Sequence, residues 1–220
     1  MKRIAAVLLF FCAAPLLAHH GKDFLMVESY ELPHPNNIYF VSSEMFSRSH
    51  GETTFTTEPS LLFGIVDRFA GEVHVHVVKF PGESLQYEAI APALHYQIAS
   101  FLQWNLAVAA EYEIARRSEE NAFAARFIAA RAISNGQIVV NVGVDDRRPA
   151  YAIGFRPQME AQTAWGIEAQ GRFERGDEHQ LILGIYTQPT DRLTFKAGAS
   201  VGLGLGKPSA VVRTGVVWHF

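Results

Sequence analysis

From about residue 38 onward, apolar and polar residues alternate with a period of two, in one segment after another. Val73, Val75 and Val77 share one face, and Glu72, His74 and His76 share the other. Leu106, Val108, Ala110, Tyr112 and Ile114 oppose Asn105, Ala107, Ala109, Glu111 and Glu113. Trp165, Ile167, Ala169, Gly171 and Phe173 oppose Gly166, Glu168, Gln170 and Arg172. Leu193, Phe195, Ala197, Ala199, Val201 and Leu203 oppose Thr194, Lys196, Gly198, Ser200, Gly202 and Gly204. An amphipathic helix would place like residues three and four apart, so these segments read as strands.

Breakers separate them at even intervals. Turns are expected near Ser49–Gly51, Val66–Arg68, Pro81–Gly82, Ala99–Ser100, Arg117–Ser118, Ser134–Gly136, Asp145–Pro149, Pro157–Gln162, Arg175–Asp177, Gln188–Asp191 and Gly206–Pro208. Gly, Asn, Asp and Pro supply the dihedrals that hairpins need. Such spacing predicts about twelve strands in an up-and-down meander, roughly 17 residues per strand and connection. Phe123–Ile133 fits least well, because Arg126 and Arg131 fall on opposite faces. A bulge or an interfacial arginine would reconcile it with a strand, and a short helix is the alternative. Residues 19–36, with Pro33 and Pro35, read as an irregular segment, either periplasmic or folded into the lumen.

The content of the two faces decides between a soluble and a membrane barrel. A small soluble barrel keeps bulky apolar groups inside, whereas a membrane barrel turns them toward lipid and fills its lumen with polar, charged and small residues. Here the second face holds Gly, Ser, Thr, Asn and Glu, and few lysines are available for a solvated surface. Glycine weakens a solvated strand face but makes room in a narrow interior. The expected fold is therefore all-β, a transmembrane antiparallel up-and-down barrel over 37–220.

The chain opens with Lys2 and Arg3, an apolar run from Ile4 to Ala18, and then polar residues. That arrangement reads as a signal peptide over 1–18. Cys12, the single cysteine, falls inside it, so no disulfide framework is expected. Without Lys2 and Arg3 the chain keeps 17 basic residues against 22 acidic ones, which argues against nucleic-acid binding. No apolar run beyond the leader reaches the ~18 residues of a membrane helix, although 49% of the chain is hydrophobic.

Stepping back by two from Phe220 gives Trp218, Val216, Thr214 and Val212. This ending resembles bacterial outer-membrane barrels as a class, whose closing strand ends in Phe or Trp and is read by the barrel assembly machinery. The resemblance implies that Phe220 and Trp218 are an assembly signal, and it places the chain in the outer membrane of a Gram-negative bacterium with lipid around it. A narrower likeness lies in Glu58-Pro59-Ser60-Leu61-Leu62-Phe63-Gly64-Ile65-Val66-Asp67-Arg68-Phe69, echoed by Thr190-Asp191-Arg192-Leu193. This resembles the outer-membrane family named for the phenol meta-degradation pathway. It implies a transporter-like barrel and brings no catalytic residues with it.

Candidate lumen-lining residues are Glu58, Glu72, His74, His76, Glu111, Glu113, Arg126, Glu168 and Arg172. They would either line a narrow pore or plug it as a salt-bridge network. Two histidines at i and i+2 on a strand stand about 7 Å apart and could share a metal. His19, His20, His34 and His50 add further imidazoles to the N-terminal region. The plainer reading is polar groups in a wet interior, with no metal and no cofactor. Ser60 and His74 sit on neighbouring strands without a third partner, and no hydrolase, zinc-protease or phosphate-loop motif occurs. The expectation is a monomeric, non-enzymatic channel for a small solute. A plugged structural barrel and an outer-membrane lipid hydrolase are the alternatives.

Overall fold

The computed structural model describes residues 24–49, 51–134, 136–157, 163–173, 179–203 and 210–220, the side chains of Ser49 and Glu119 excepted. The signal peptide expected over 1–18, residues 19–23, His50, the turns expected at 175–177 and 206–208, and all but Pro157 of the turn expected at Pro157–Gln162 lie outside the described residues.

Twelve strands follow one another: β1 (Ile38–Ser49), β2 (Glu52–Val66), β3 (Phe69–Lys79), β4 (Gln86–Phe101), β5 (Trp104–Ala115), β6 (Ala122–Ile133), β7 (Gly136–Asp145), β8 (Arg148–Pro157), β9 (Thr163–Arg172), β10 (His179–Thr190), β11 (Leu193–Leu203) and β12 (Ala210–His219). Each pairs antiparallel with its sequence neighbours, and β1 pairs with β12, so the sheet closes. Closure removes every strand edge, which a bilayer requires because it offers backbone groups no other partner.

The faces follow the alternation. Val108, Tyr112, Ile114, Trp165, Ile167, Phe195, Val201, Val212 and Trp218 are exposed on the outer surface. Ala107, Ala109, Glu168, Lys196, Ser200 and Val217, at the intervening positions, are buried inside. Large apolar residues exposed around the whole barrel would be untenable in water and form the expected belt against lipid.

The alanine-rich segment is strand β6, paired in unbroken register with β5 and β7. Arg126 faces the lumen. Arg131 faces outward near the end of the barrel that carries Ile38 and Phe220, its guanidinium 5.2 Å from the Trp104 ring centroid. A cation over an interfacial aromatic reconciles both arginines with one strand.

One turn falls elsewhere than expected. Ala99 and Ser100 are inside β4, and the chain reverses at Leu102–Gln103. Both turn residues have positive φ (46° and 68°), as do Asp146 and Arg147 in the tight turn between β7 and β8 (47° and 65°). Two-residue hairpin turns need that geometry. Leu102 and Gln103 adopt it without the Gly or Asn that would have marked it in the sequence.

A polar group centred on Glu44 interrupts the outer face. Ser42 and Thr214 both donate to the Glu44 carboxylate, the Thr214 hydroxyl from 3.0 Å. Glu44 pairs across the closing seam with Thr214 and across the other side with Thr57. Phe46 and Phe55, with rings 4.7 Å apart, lie on one side of this group, and Phe40 and Trp218 lie on the other.

Candidate functional site: a strapped lumen and its vestibule

Residues 24–37 run inside the barrel. They form no strand, so their backbone donors need partners from the wall. Glu168 on β9 accepts three of them, from the N–H groups of Leu25, Met26 and Val27, at 2.8, 2.7 and 2.9 Å. Tyr186 on β10 donates its hydroxyl to the same carboxylate. Asn141 on β7 holds Glu28 from both sides, accepting from its N–H (2.7 Å) and donating to its carbonyl (3.0 Å). Lys196 on β11 donates to the Phe24 carbonyl at 2.9 Å. We call this segment the strap.

Its side chains are gripped as well. Phe24 and Val27, each 3% exposed, pack with Ala107, Ala109, Ile128, Ala130, Val139 and Ala152. A side chain at Gly154 would collide with the Phe24 ring, and one at Gly198 with Leu25. Glycine in the lumen wall therefore makes room for the strap. Nearer the barrel end that carries Ile38 and Phe220, Leu32 packs on Tyr39, Val41, Leu62, Ala70 and Val217. The wall around the strap thus combines these apolar contacts with the buried polar groups that hold it.

The other half of the lumen is a polar vestibule of about 720 Å³, floored by Phe24–Glu28. Glu58, His74, His76, Glu111, Glu113, Arg126 and Arg172 all border it. Ala89, Ala91 and Ala93 line the inside of β4, and these small residues let β3 and β5 side chains meet across it. His74 Nε2 lies 3.4 Å from both Glu72 and Glu111, and His76 Nδ1 lies 3.6 Å from Glu113. Arg172 meets Asp145 at 2.8 Å, and Arg126 meets Glu28 of the strap at 2.9 Å.

Glu72 and Glu168, each 1% exposed, are the two candidates that lie beneath the lining. Glu72 accepts from Ser60 (2.7 Å) and stands 3.0 Å from His95 Nε2. The other His95 nitrogen is 3.1 Å from Glu28. His95 therefore bridges the wall to the strap. The imidazoles of His74 and His76 lie edge to face, with centroids 6.4 Å apart. Among the described residues no group of three or more His, Cys, Asp or Glu is arranged to hold a metal ion. His34 lies at the strap's foot and His50 outside the described residues.

Sequence reasoning did not identify the groups that hold the strap: Glu28, His95, Asn141, Tyr186 and Lys196. His95, Asn141 and Lys196 carried a legible signal, a polar side chain in the inward register between apolar outward neighbours. Nothing in the sequence tied them to a particular partner.

No family model matches the sequence, and no curated protein matches it. Many solved structures share the fold. The KdgM porin in complex with disordered oligogalacturonate superposes with a TM-score of 0.62 at 10% identity, over 83% of this chain and 99% of the porin. An outer membrane channel from Pseudomonas putida F1 gives 0.61 at 10% identity, over 87% and 98%. Outer membrane phospholipase A from Escherichia coli gives 0.52 at 12% identity, over 92% and 95%. Identities this low report fold alone. Together with the closed twelve-stranded meander and its apolar outer belt, they make this chain a transmembrane β-barrel of the bacterial outer-membrane type.

Proposed function

We propose that the protein is a passive channel for small solutes whose conducting path is closed by its own strap. The observation that carries this reading is the vestibule: about 720 Å³ of polar space inside a membrane barrel, ending on a segment that is not part of the wall. Small barrels fill their interior with their own inward side chains, and others are plugged by a loop or a helix. Here the obstruction is one continuous segment, anchored to β1 at its end and held by hydrogen bonds that can exchange for water. The KdgM and Pseudomonas putida relatives in fold are a porin and a channel, which supports the reading.

The permanently plugged barrel is the second reading, favoured by the burial of Phe24 and Val27. Deleting residues 24–32 separates the two. A gated channel gains large, steady conductance in planar bilayers, while the intact protein shows small or brief openings. Equal silence from both proteins would leave only the structural role.

An enzymatic role finds little support in the site. The Ser60 hydroxyl is buried, 3% exposed, and donates to Glu72 beneath the lumen lining, away from any lipid substrate on the outer face. We further propose the affiliation with the phenol meta-degradation outer-membrane family, on Glu58–Phe69, which build the second half of β2, the Asp67–Arg68 turn and the start of β3. The barrel is proposed to act as a monomer and to use the barrel assembly machinery for insertion.

A further inference from the structure

Most charged groups around the vestibule are matched. Arg126 pairs with Glu28 and Arg172 with Asp145, while His74 lies 3.4 Å from Glu72 and Glu111 and His76 lies 3.6 Å from Glu113, contacts that are ion pairs when the imidazoles are protonated. Lys196 is committed to the strap. Two groups of opposite sign are not matched. Glu58 on β2 makes no hydrogen bond or ion pair among the described residues, and the buried Nε of Arg213 on β12 has no acceptor. Both border the vestibule.

The register places them close together without contact. Glu58 is level with Ser43 on β1, and Ser43 is level with Gly215 on β12. Arg213 is level with Met45, one inward-facing step further along. Strand β1 and one two-residue step along the strands thus separate the two groups, putting their backbones roughly 12 Å apart along the wall. Ser43 and Gly215, which also border the vestibule, leave the surface between them low. Arg213 feels the charges of Glu58 and Glu168 without touching either, and Glu168 is already spent on the strap.

We propose that Glu58 and Arg213 form a binding site for a small zwitterion of the α-amino-acid class, its ammonium on Glu58 and its carboxylate on Arg213. The guanidinium fork fits a carboxylate, and an ammonium carries the donors that an unpaired carboxylate lacks. A molecule bearing both charges satisfies both groups while losing its translational freedom once, whereas two separate ions lose it twice. The proposal deepens the channel reading, because it names the solute that the vestibule would collect above the strap.

The test is ligand-observed NMR on the folded, full-length barrel in detergent, with alanine as probe. N-acetylalanine lacks the ammonium and alanine methyl ester lacks the carboxylate, so the wild-type protein alone supplies the decisive comparison. Each blocked compound should bind at least about tenfold more weakly than alanine, as expected for loss of one charge-assisted contact. Glu58→Gln should weaken alanine by a similar factor and leave N-acetylalanine unchanged, while Arg213→Gln should weaken alanine by a similar factor and abolish N-acetylalanine binding. Alanine binding no tighter than N-acetylalanine would reduce the site to a simple anion site. Binding of none of the three would overturn the proposal outright. Alanine flux into liposomes is scored separately: binding without flux in the strap-deleted barrel sinks the channel reading and keeps the site, and flux without binding does the reverse.

Discussion

Single side chains carry the distinction between lipid, lumen and strap, and each can be tested alone. Val75 and His74 are adjacent on β3, yet Val75 is level with the exposed Ile90 on the outer face and His74 borders the vestibule. Arginine on the lipid face near the midplane costs about 2–4 kcal/mol, while a lumen substitution is tolerated. Val75→Arg should therefore lower folding stability in lipid vesicles by that order, and His74→Arg should leave it nearly unchanged. Urea titration of the refolded barrels reads both, and equal tolerance at the two positions would contradict the assigned faces. Glu44 is the reverse case, a carboxylate among lipid-facing residues that keeps its local donors Ser42 and Thr214. Glu44→Leu removes the cost of that group and should stabilise the barrel by about 1 kcal/mol. A loss of stability would show that the carboxylate holds the β1–β12 seam closed. Glu168 is the strap's principal acceptor. Glu168→Gln weakens bonds of the charge-assisted kind by about 1–3 kcal/mol, which shifts the strap's closed-to-open ratio roughly 5- to 150-fold. Single-channel recording should show that change as a raised open probability, and an unchanged one would mean that the strap does not gate.

At the scale of elements, the strands were legible and the strap was not. Period-two alternation is imposed by two different solvents on the two faces, so β3, β5, β9 and β11 could be read residue by residue. Turns were legible where Gly, Asn or Asp supplied positive φ, and missed at Leu102–Gln103, where pairing on both sides imposes it. The nine lumen candidates were legible as inward positions, and their pairing was not, because His74 reaches Glu111 only across the small residues of a third strand. Residues 24–37 have no periodicity to report where they go, since their position is set by long-range hydrogen bonds to β7, β9 and β11. The closing strand combines both kinds of signal. Trp218 and Phe220 lie stacked at 6.2 Å, and the Phe220 N–H donates to Ile38 at the start of β1. Deleting Phe220 removes an outer aromatic, one hydrogen bond of the closing seam and, on the resemblance to outer-membrane barrels, the assembly signal. The expected result is a large fall in heat-modifiable folded protein in the outer membrane. Refolding of the same variant from urea into vesicles should suffer far less. Equal losses in both would assign Phe220 to barrel stability rather than to recognition.

For the whole molecule, the end of the barrel that faces the cell surface decides from which side the vestibule collects solute. The strands fix a relation among the connections. Asp67–Arg68, Leu102–Gln103 and Asp191–Arg192 lie at the end that carries Ile38 and Phe220. Residues 80–85 and 116–121 lie at the other end, beside Asp145 and Arg172 at the mouth of the vestibule. Outer-membrane barrels keep short turns in the periplasm and longer loops outside. On that rule the vestibule opens to the exterior, and the strap enters from the periplasmic end. The chain's single cysteine lies at position 12, within the expected leader, so introduced thiols would stand alone in the mature protein. Glu83→Cys and Arg117→Cys place exposed thiols in the longer connections, and Asp191→Cys places one in a short turn. An impermeant maleimide added to intact cells should label the first two and leave the third unlabelled until the outer membrane is permeabilised. Labelling of Asp191→Cys alone on intact cells would turn the barrel over. The strap would then close the outer mouth, and the vestibule would face the periplasm as a site loaded from inside.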